Sequence, residues 1–106
     1  MPKYMIVATY SSDGIKGVLR EGGSSRRSLI ADIAKNLDGS LEAFYFAFGE
    51  NDVYSIVDLP DNVSAAAMAM NISAAGLVRC AVTVLMTPEE IDKSARTKMW
   101  FRPPGA

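Results

Sequence analysis

A chain of 106 residues with 11 Lys and Arg against 12 Asp and Glu has room for one domain and almost no net charge. The charges are scattered, which argues against a nucleic-acid surface or an anionic-membrane binder; no apolar stretch approaches the roughly 20 residues of a membrane span. The N-terminus shows no signal-peptide pattern, and the lone Cys80 cannot form an internal disulfide, so a reducing cytoplasm is the expected compartment.

The first strand is expected over Tyr4–Tyr10, which is β-branched and aromatic. Ser11-Ser12-Asp13-Gly14 then supplies capping and turn residues, and Ile15, Val18 and Leu19 recur at helical spacing. Gly22-Gly23 interrupts that pattern. Ser24 or Ser25 can cap a second helical stretch, whose apolar face is Leu29, Ile30, Ile33, Ala34 and Leu37, with Asp38-Gly39 ending it.

Leu41–Phe48 and Val53–Leu59 read as two strands, and the short segment Gly49-Glu50-Asn51-Asp52 between them demands an antiparallel hairpin. Asp61 or Asn62 can cap an alanine-rich helix from about Val63 to Ala75, stopped by Gly76. Val78–Met86 is the fourth strand. Thr87-Pro88-Glu89-Glu90 starts a last helix running to about Lys98, followed by the tail Trp100–Ala106. The order β-α-β-β-α-β describes an α+β, ferredoxin-like domain over residues 1–106, with a four-stranded antiparallel sheet, an extra C-terminal helix and a tail.

Alternate residues of a strand face opposite sides. The first strand divides into Tyr4, Ile6, Ala8 and Tyr10 against Met5, Val7 and Thr9. The second divides into Leu41, Ala43, Tyr45 and Ala47 against Glu42, Phe44, Phe46 and Phe48, and the fourth into Val78, Cys80, Val82, Val84 and Met86 against Arg79, Ala81, Thr83 and Leu85. Both faces are largely apolar, whereas a sheet covered on one side normally keeps a polar outer face. A second copy of the chain packed sheet to sheet is the simplest cover; the alternative is that the last helix and tail fold back. Trp100-Phe101 with Pro103-Pro104 suits a clamp onto a neighbouring subunit.

The opening Met1-Pro2-Lys3-Tyr4, Gly14-Ile15-Lys16-Gly17, Glu21-Gly22-Gly23-Ser24, Leu41-Glu42-Ala43-Phe44-Tyr45-Phe46, Leu59-Pro60-Asp61-Asn62 and Thr87-Pro88-Glu89-Glu90 together resemble the GYD-domain family. These are small bacterial proteins named for a Gly-Tyr-Asp-type motif in the hairpin and generally described as of unknown function. Gly49 and Asp52 match that motif, while Asn51 stands where the family usually has Tyr. The resemblance implies a dimeric α+β barrel in which two ferredoxin-like sheets pack face to face, and it implies no activity.

The absence of histidine removes the commonest catalytic base and metal ligand and excludes Ser-His-Asp and Cys-His arrangements. No metal site and no cofactor are expected. Asp52 reads either as a carboxylate at a pocket mouth, raised in pKa by burial and able to carry a proton, or as an acceptor holding the hairpin turn. Tyr54 and Tyr45 offer hydroxyls to a cavity or simply core area. Gly22-Gly23-Ser24-Ser25-Arg26-Arg27 reads as an anion cradle with Arg26 as ligand-binding residue, or as a capped helix break with solvated arginines. Arg79 interrupts an apolar strand and is expected to pair with Glu42, Asp52 or a ligand carboxylate. Cys80, Met68 and Met70 read as core filler.

Three functions are compatible with these residues. The first is a cytoplasmic homo-oligomer that binds a small, partly apolar molecule between sheet and helices. The second is a cofactor-free enzyme like the monooxygenases and isomerases built on dimeric α+β barrels, with Asp52 accepting a proton and Tyr54 or Arg79 placing an enolate. The third is a purely structural module.

Overall fold

The computed structural model describes residues 1–105. Its elements are β1 (Lys3–Tyr10), α1 (Ser12–Glu21), α2 (Gly23–Asn36), β2 (Ser40–Phe46), β3 (Val53–Asp58), α3 (Asn62–Ala74), β4 (Val78–Leu85) and α4 (Pro88–Arg96). The four strands form one antiparallel sheet in the order β2-β3-β1-β4. This is the ferredoxin-like α+β arrangement. Among the described residues no helix is long and apolar enough to cross a membrane.

One sheet face is dry because three helices lie over it. Tyr4 and Ile6 of β1, Val57 of β3 and Leu59 just after it form the core with Ile30 of α2 and Ala65 and Met68 of α3. Packing α2 against β2 and α3 against β4 leaves a seam over β1, which these large side chains fill. The Tyr4 ring is 1 % exposed, and its hydroxyl escapes burial without a partner by donating to Asn62 Oδ1 at 2.7 Å.

The helix ends show why the chain breaks where it does. Ser11, Asp61 and Thr87 each accept a backbone N–H of the first turn, at α1, α3 and α4 respectively. At α4 the Glu90 side chain returns the bond to the Thr87 N–H, completing a capping box. The cap of α2 differs from expectation. Neither Ser24 nor Ser25 caps it; Gly22, at φ 85°, turns the chain out of α1 and straight into α2 with no side-chain cap. After α2 it is Asp38, not Gly39, that takes the left-handed conformation, at φ 62°. Gly39 is needed for space, since a Cβ there would run into the Asp58 carbonyl oxygen.

The face pattern expected for the second strand holds on only one side of a β-bulge. Leu41 pairs with Val57 and Ala43 with Ile56, so the chain gains one residue at Glu42. Leu41 therefore joins Phe44 and Phe46 on the helix side, while Ala43 and Tyr45 face out. Strict alternation cannot reveal this, because a bulge changes phase without changing residue type. The bulge also sets Glu42 beside Lys3, whose Nζ reaches Glu42 at 2.8 Å and Asp58 at 2.9 Å. These two acceptors, Glu42 first, hold the Lys3 ammonium above its ordinary value.

β2 ends at Phe46, two residues earlier than expected, and the hairpin loop runs from Ala47 to Asp52, closed by the Ala47 N–H donating to the Asp52 carbonyl at 2.8 Å. Phe48, at its tip, is fully exposed. The last helix stops at Arg96, short of Lys98, and no residue of α4 is buried. Residues 99–105 are exposed as well, so neither α4 nor the described part of the tail folds back over the outer sheet face, and Ala106 lies outside the described residues. Of the two core methionines expected in α3, Met68 is buried and Met70 is exposed.

Candidate functional site

The site grows out of the end of the sheet where β1 finishes and β4 begins. Tyr10 pairs there with Val78. The Ser11 N–H donates to the Leu77 carbonyl at 2.9 Å, which fixes the start of α1 beside the start of β4. Because Gly22 redirects the chain, α1 and α2 do not close fully over this end, and a cavity of about 310 Å³ remains under them. That lies near the lower end of the volumes that hold small ligands, roughly 300–1,000 Å³.

Its walls are apolar: Val18 from α1, Leu29 and Ile33 from α2, Ile72 from α3, and Leu77 before β4. Its polar interior is built from Tyr10 and Arg26. The Arg26 guanidinium lies over the Tyr10 ring, 5.9 Å from the centroid, within range of cation–π attraction. Arg26 forms no ion pair among the described residues. Its Nε is shut off from solvent and donates to no described group. Asp13, Arg20 and Glu21 stand exposed around the mouth.

Behind Arg26 a narrow void of about 20 Å³ reaches Cys80. Burial pushes the Cys80 thiol up from its ordinary value, while the Ser73 hydroxyl and the Arg26 charge pull it the other way. Among the described residues no group of three His, Cys, Asp or Glu could hold a metal ion.

Asp52 contacts this site only at the Tyr10 backbone. Its carboxylate accepts the Tyr10 N–H at 2.8 Å, and its own N–H donates to the Ala8 carbonyl at 2.9 Å. The turn-holding role expected for Asp52 is thus directed outward: the carboxylate ties the hairpin loop to β1. Asp52 lines none of the cavities described here.

A family model for the GYD domain matches residues 4–95. The chain belongs to the GYD-domain family. No curated protein and no solved structure matches it. The matched span covers the four strands of this GYD domain except Lys3 at the start of β1, includes every residue named in the cavity, and stops inside α4.

The other sequence candidates of the GYD domain lie on the outer sheet face or its edge. Tyr45 and Tyr54 are cross-strand partners there, 72 % and 40 % exposed, so they line no cavity under the helices. Asn51, at the position of the family tyrosine, donates to the Tyr54 hydroxyl at 3.2 Å and accepts from Thr9 at 3.1 Å. It links loop, β1 and β3 by a short side-chain chain. Arg79 sits opposite Thr9 on edge strand β4 and borders a shallow depression with Asn51. The pairing expected for Arg79 does not form: Glu42 is held by Lys3, and Asp52 is held by the Tyr10 amide.

Of the five candidates, only Arg26 reaches the cavity. Tyr10 was missed as its partner, although it continues the buried parity of Tyr4, Ile6 and Ala8 at the strand end nearest the Arg26 segment.

Proposed function

We propose that this GYD domain is a homo-oligomeric small-molecule-binding protein of the bacterial cytoplasm, whose ligand occupies the space between α1, α2, α3 and the sheet. One observation carries this reading: a cavity of about 310 Å³ with hydrocarbon walls and a single inward cluster of Arg26 and Tyr10. Apolar walls with a few convergent polar groups are the usual composition of a ligand site. The reducing compartment is supported by the single, half-buried Cys80.

Amide NMR with a library of fragment-sized compounds tests the reading. Binders should shift the resonances of Val18, Leu29, Ile33 and Leu77 together, and Val18→Trp, which fills the cavity, should abolish those shifts. A library that leaves these amides unmoved would defeat the proposal.

The oligomer is supported by the outer sheet face. Met5, Val7, Ala43, Ile56, Ala81 and Leu85 form an apolar centre there by strand parity, and among the described residues no helix covers it. A second copy packed sheet to sheet would bury that centre and leave the Lys3–Glu42–Asp58 cluster at its margin. The exposed arm made by α4 and Met99, Trp100 and Phe101 gives the same copy a further clamp. Light scattering should give at least twice the chain mass of 11.4 kDa, and Ile56→Glu should reduce it to one chain. A wild-type monomer would remove the oligomer from the proposal while leaving the cavity untouched.

A further inference from the structure

We infer that the cavity selects a small amphipathic monocarboxylate, its head on Arg26 and its hydrocarbon body along Leu29, Ile33 and Leu77. This deepens, and rests on, the reading of the cavity as a ligand site.

The sign of the ligand follows from the state of Arg26. A guanidinium stays charged at any physiological pH and carries five N–H donors. Arginines withdrawn from water normally have a carboxylate partner, because an unmet charge or donor there is costly. Arg26 is only half-buried, yet it makes no ion pair among the described residues, and its Nε is sealed from solvent without an acceptor. The Tyr10 ring attracts the cation but supplies no counter-charge. A carboxylate entering from the cavity provides the missing charge and accepts from the terminal N–H groups of the guanidinium, which are not sealed as Nε is. The planar fork of the guanidinium matches its two oxygens.

The valence and shape follow from the surroundings. Asp13 and Glu21 share the mouth with Arg20, so the lining carries two positive and two negative groups. One added negative charge is balanced locally by Arg26, whereas a dianion such as a phosphate monoester adds repulsion from both carboxylates. The remaining wall is hydrocarbon, which excludes a ligand that is polar throughout: its groups would lose water and find no partner. A volume of about 310 Å³ suits a short chain or a single ring.

The test titrates the intact protein with octanoate, octan-1-ol and octyl phosphate, by calorimetry and by amide NMR. Octanoate should bind about tenfold or more tightly than octanol, the margin of one charge-assisted hydrogen-bonded pair. It should also outbind octyl phosphate. Arg26→Gln should abolish the preference for octanoate over octanol, and Arg26→Lys should retain part of the preference because it keeps the charge without the fork. The wild-type ratios decide the matter even if the Arg26 variants fail to fold. Equal binding of octanoate and octanol, at the cavity amides, overturns the carboxylate assignment and leaves the ligand site standing. Tighter binding of octyl phosphate overturns the monoanion. Binding of none of the three overturns this inference, and the fragment screen then decides separately whether the cavity takes any ligand.

Discussion

The Asp52 carboxylate accepts the Tyr10 N–H at 2.8 Å, and the ring of the same tyrosine lies beneath the Arg26 guanidinium. The hairpin loop thereby positions the cavity's aromatic surface without entering the cavity. The end of the hairpin loop, at Asp52, acts here as a brace for β1.

Replacing Asp52 removes that brace. Asp52→Ala should lower stability by about 1.5–3 kcal/mol, the range for a hydrogen bond to a charged acceptor. Asp52→Asn, which keeps an acceptor oxygen, should lose less. Urea denaturation followed by circular dichroism measures both. An Asp52→Ala protein as stable as wild type would leave the Tyr10 bond without energetic weight.

Leu59 is completely buried in the core cluster beneath the helices. Leu59→Ala should cost about 2–5 kcal/mol, from lost burial and the cavity left behind. Leu19→Ala, at a position 80 % exposed on α1, should change stability by no more than about 0.5 kcal/mol. Thermal melts of the pair provide the comparison.

Cys80 should be a sluggish nucleophile. Burial raises its thiol above the ordinary 9.0, and the neutral form is therefore favoured in the folded protein. Alkylation by iodoacetamide should reach half its limiting rate only above pH 9.0 and should accelerate on unfolding. A folded pKa above the unfolded one contributes stability that is complete below the unfolded value and is lost as pH rises through the folded value. The matching loss of stability should thus appear only in alkali and be absent from Cys80→Ala. Removing the Arg26 charge with Arg26→Gln should push the alkylation profile higher still, because that charge favours the thiolate.

Glu90 is shifted the other way. The Thr87 backbone N–H donates to its carboxylate at 2.9 Å and, with the Thr87 hydroxyl beside it, holds it below the ordinary 4.5. A depressed folded value contributes stability above the unfolded pKa and loses it as pH falls through the folded one. The start of α4 should therefore fray only in acid, below pH 4.5, read by hydrogen exchange at the Thr87 amide. Glu90→Gln should remove the pH dependence. Since α4 buries none of its residues, the rest of the fold should not respond.

Much of the fold was legible along the chain. The period-two run from Tyr4 to Ala8, the Asp61 cap and the Thr87–Glu90 box each act between residues a few positions apart, so local sequence suffices. Leu41 escaped that logic. Its face depends on a bulge at Glu42, and the bulge is defined by what lies opposite it on β3.

The site was less legible for the same reason. Arg26 could be singled out from its glycine- and serine-rich neighbourhood, but solvated and buried arginines look alike in sequence. Whether Arg26 meets a carboxylate depends on residues brought from other elements: Tyr10, Ile72 and Leu77 surround it here, and every one is distant from it along the chain. Asp52, Tyr54, Tyr45 and Arg79 looked equally suited to chemistry. Strand pairing then directed Asp52 to the Tyr10 amide, the two tyrosines to the outer sheet face, and Arg79 to an edge.

The sequence by itself determined the elements, their order, the family and the presence of two apolar sheet faces, because periodicity, caps and turns are short-range properties. Only the tertiary structure decided which polar groups found partners. Pairing is a balance of desolvation against contacts made over long sequence separations, and of the five candidate residues it left Arg26 alone inside a cavity, charged and unmatched.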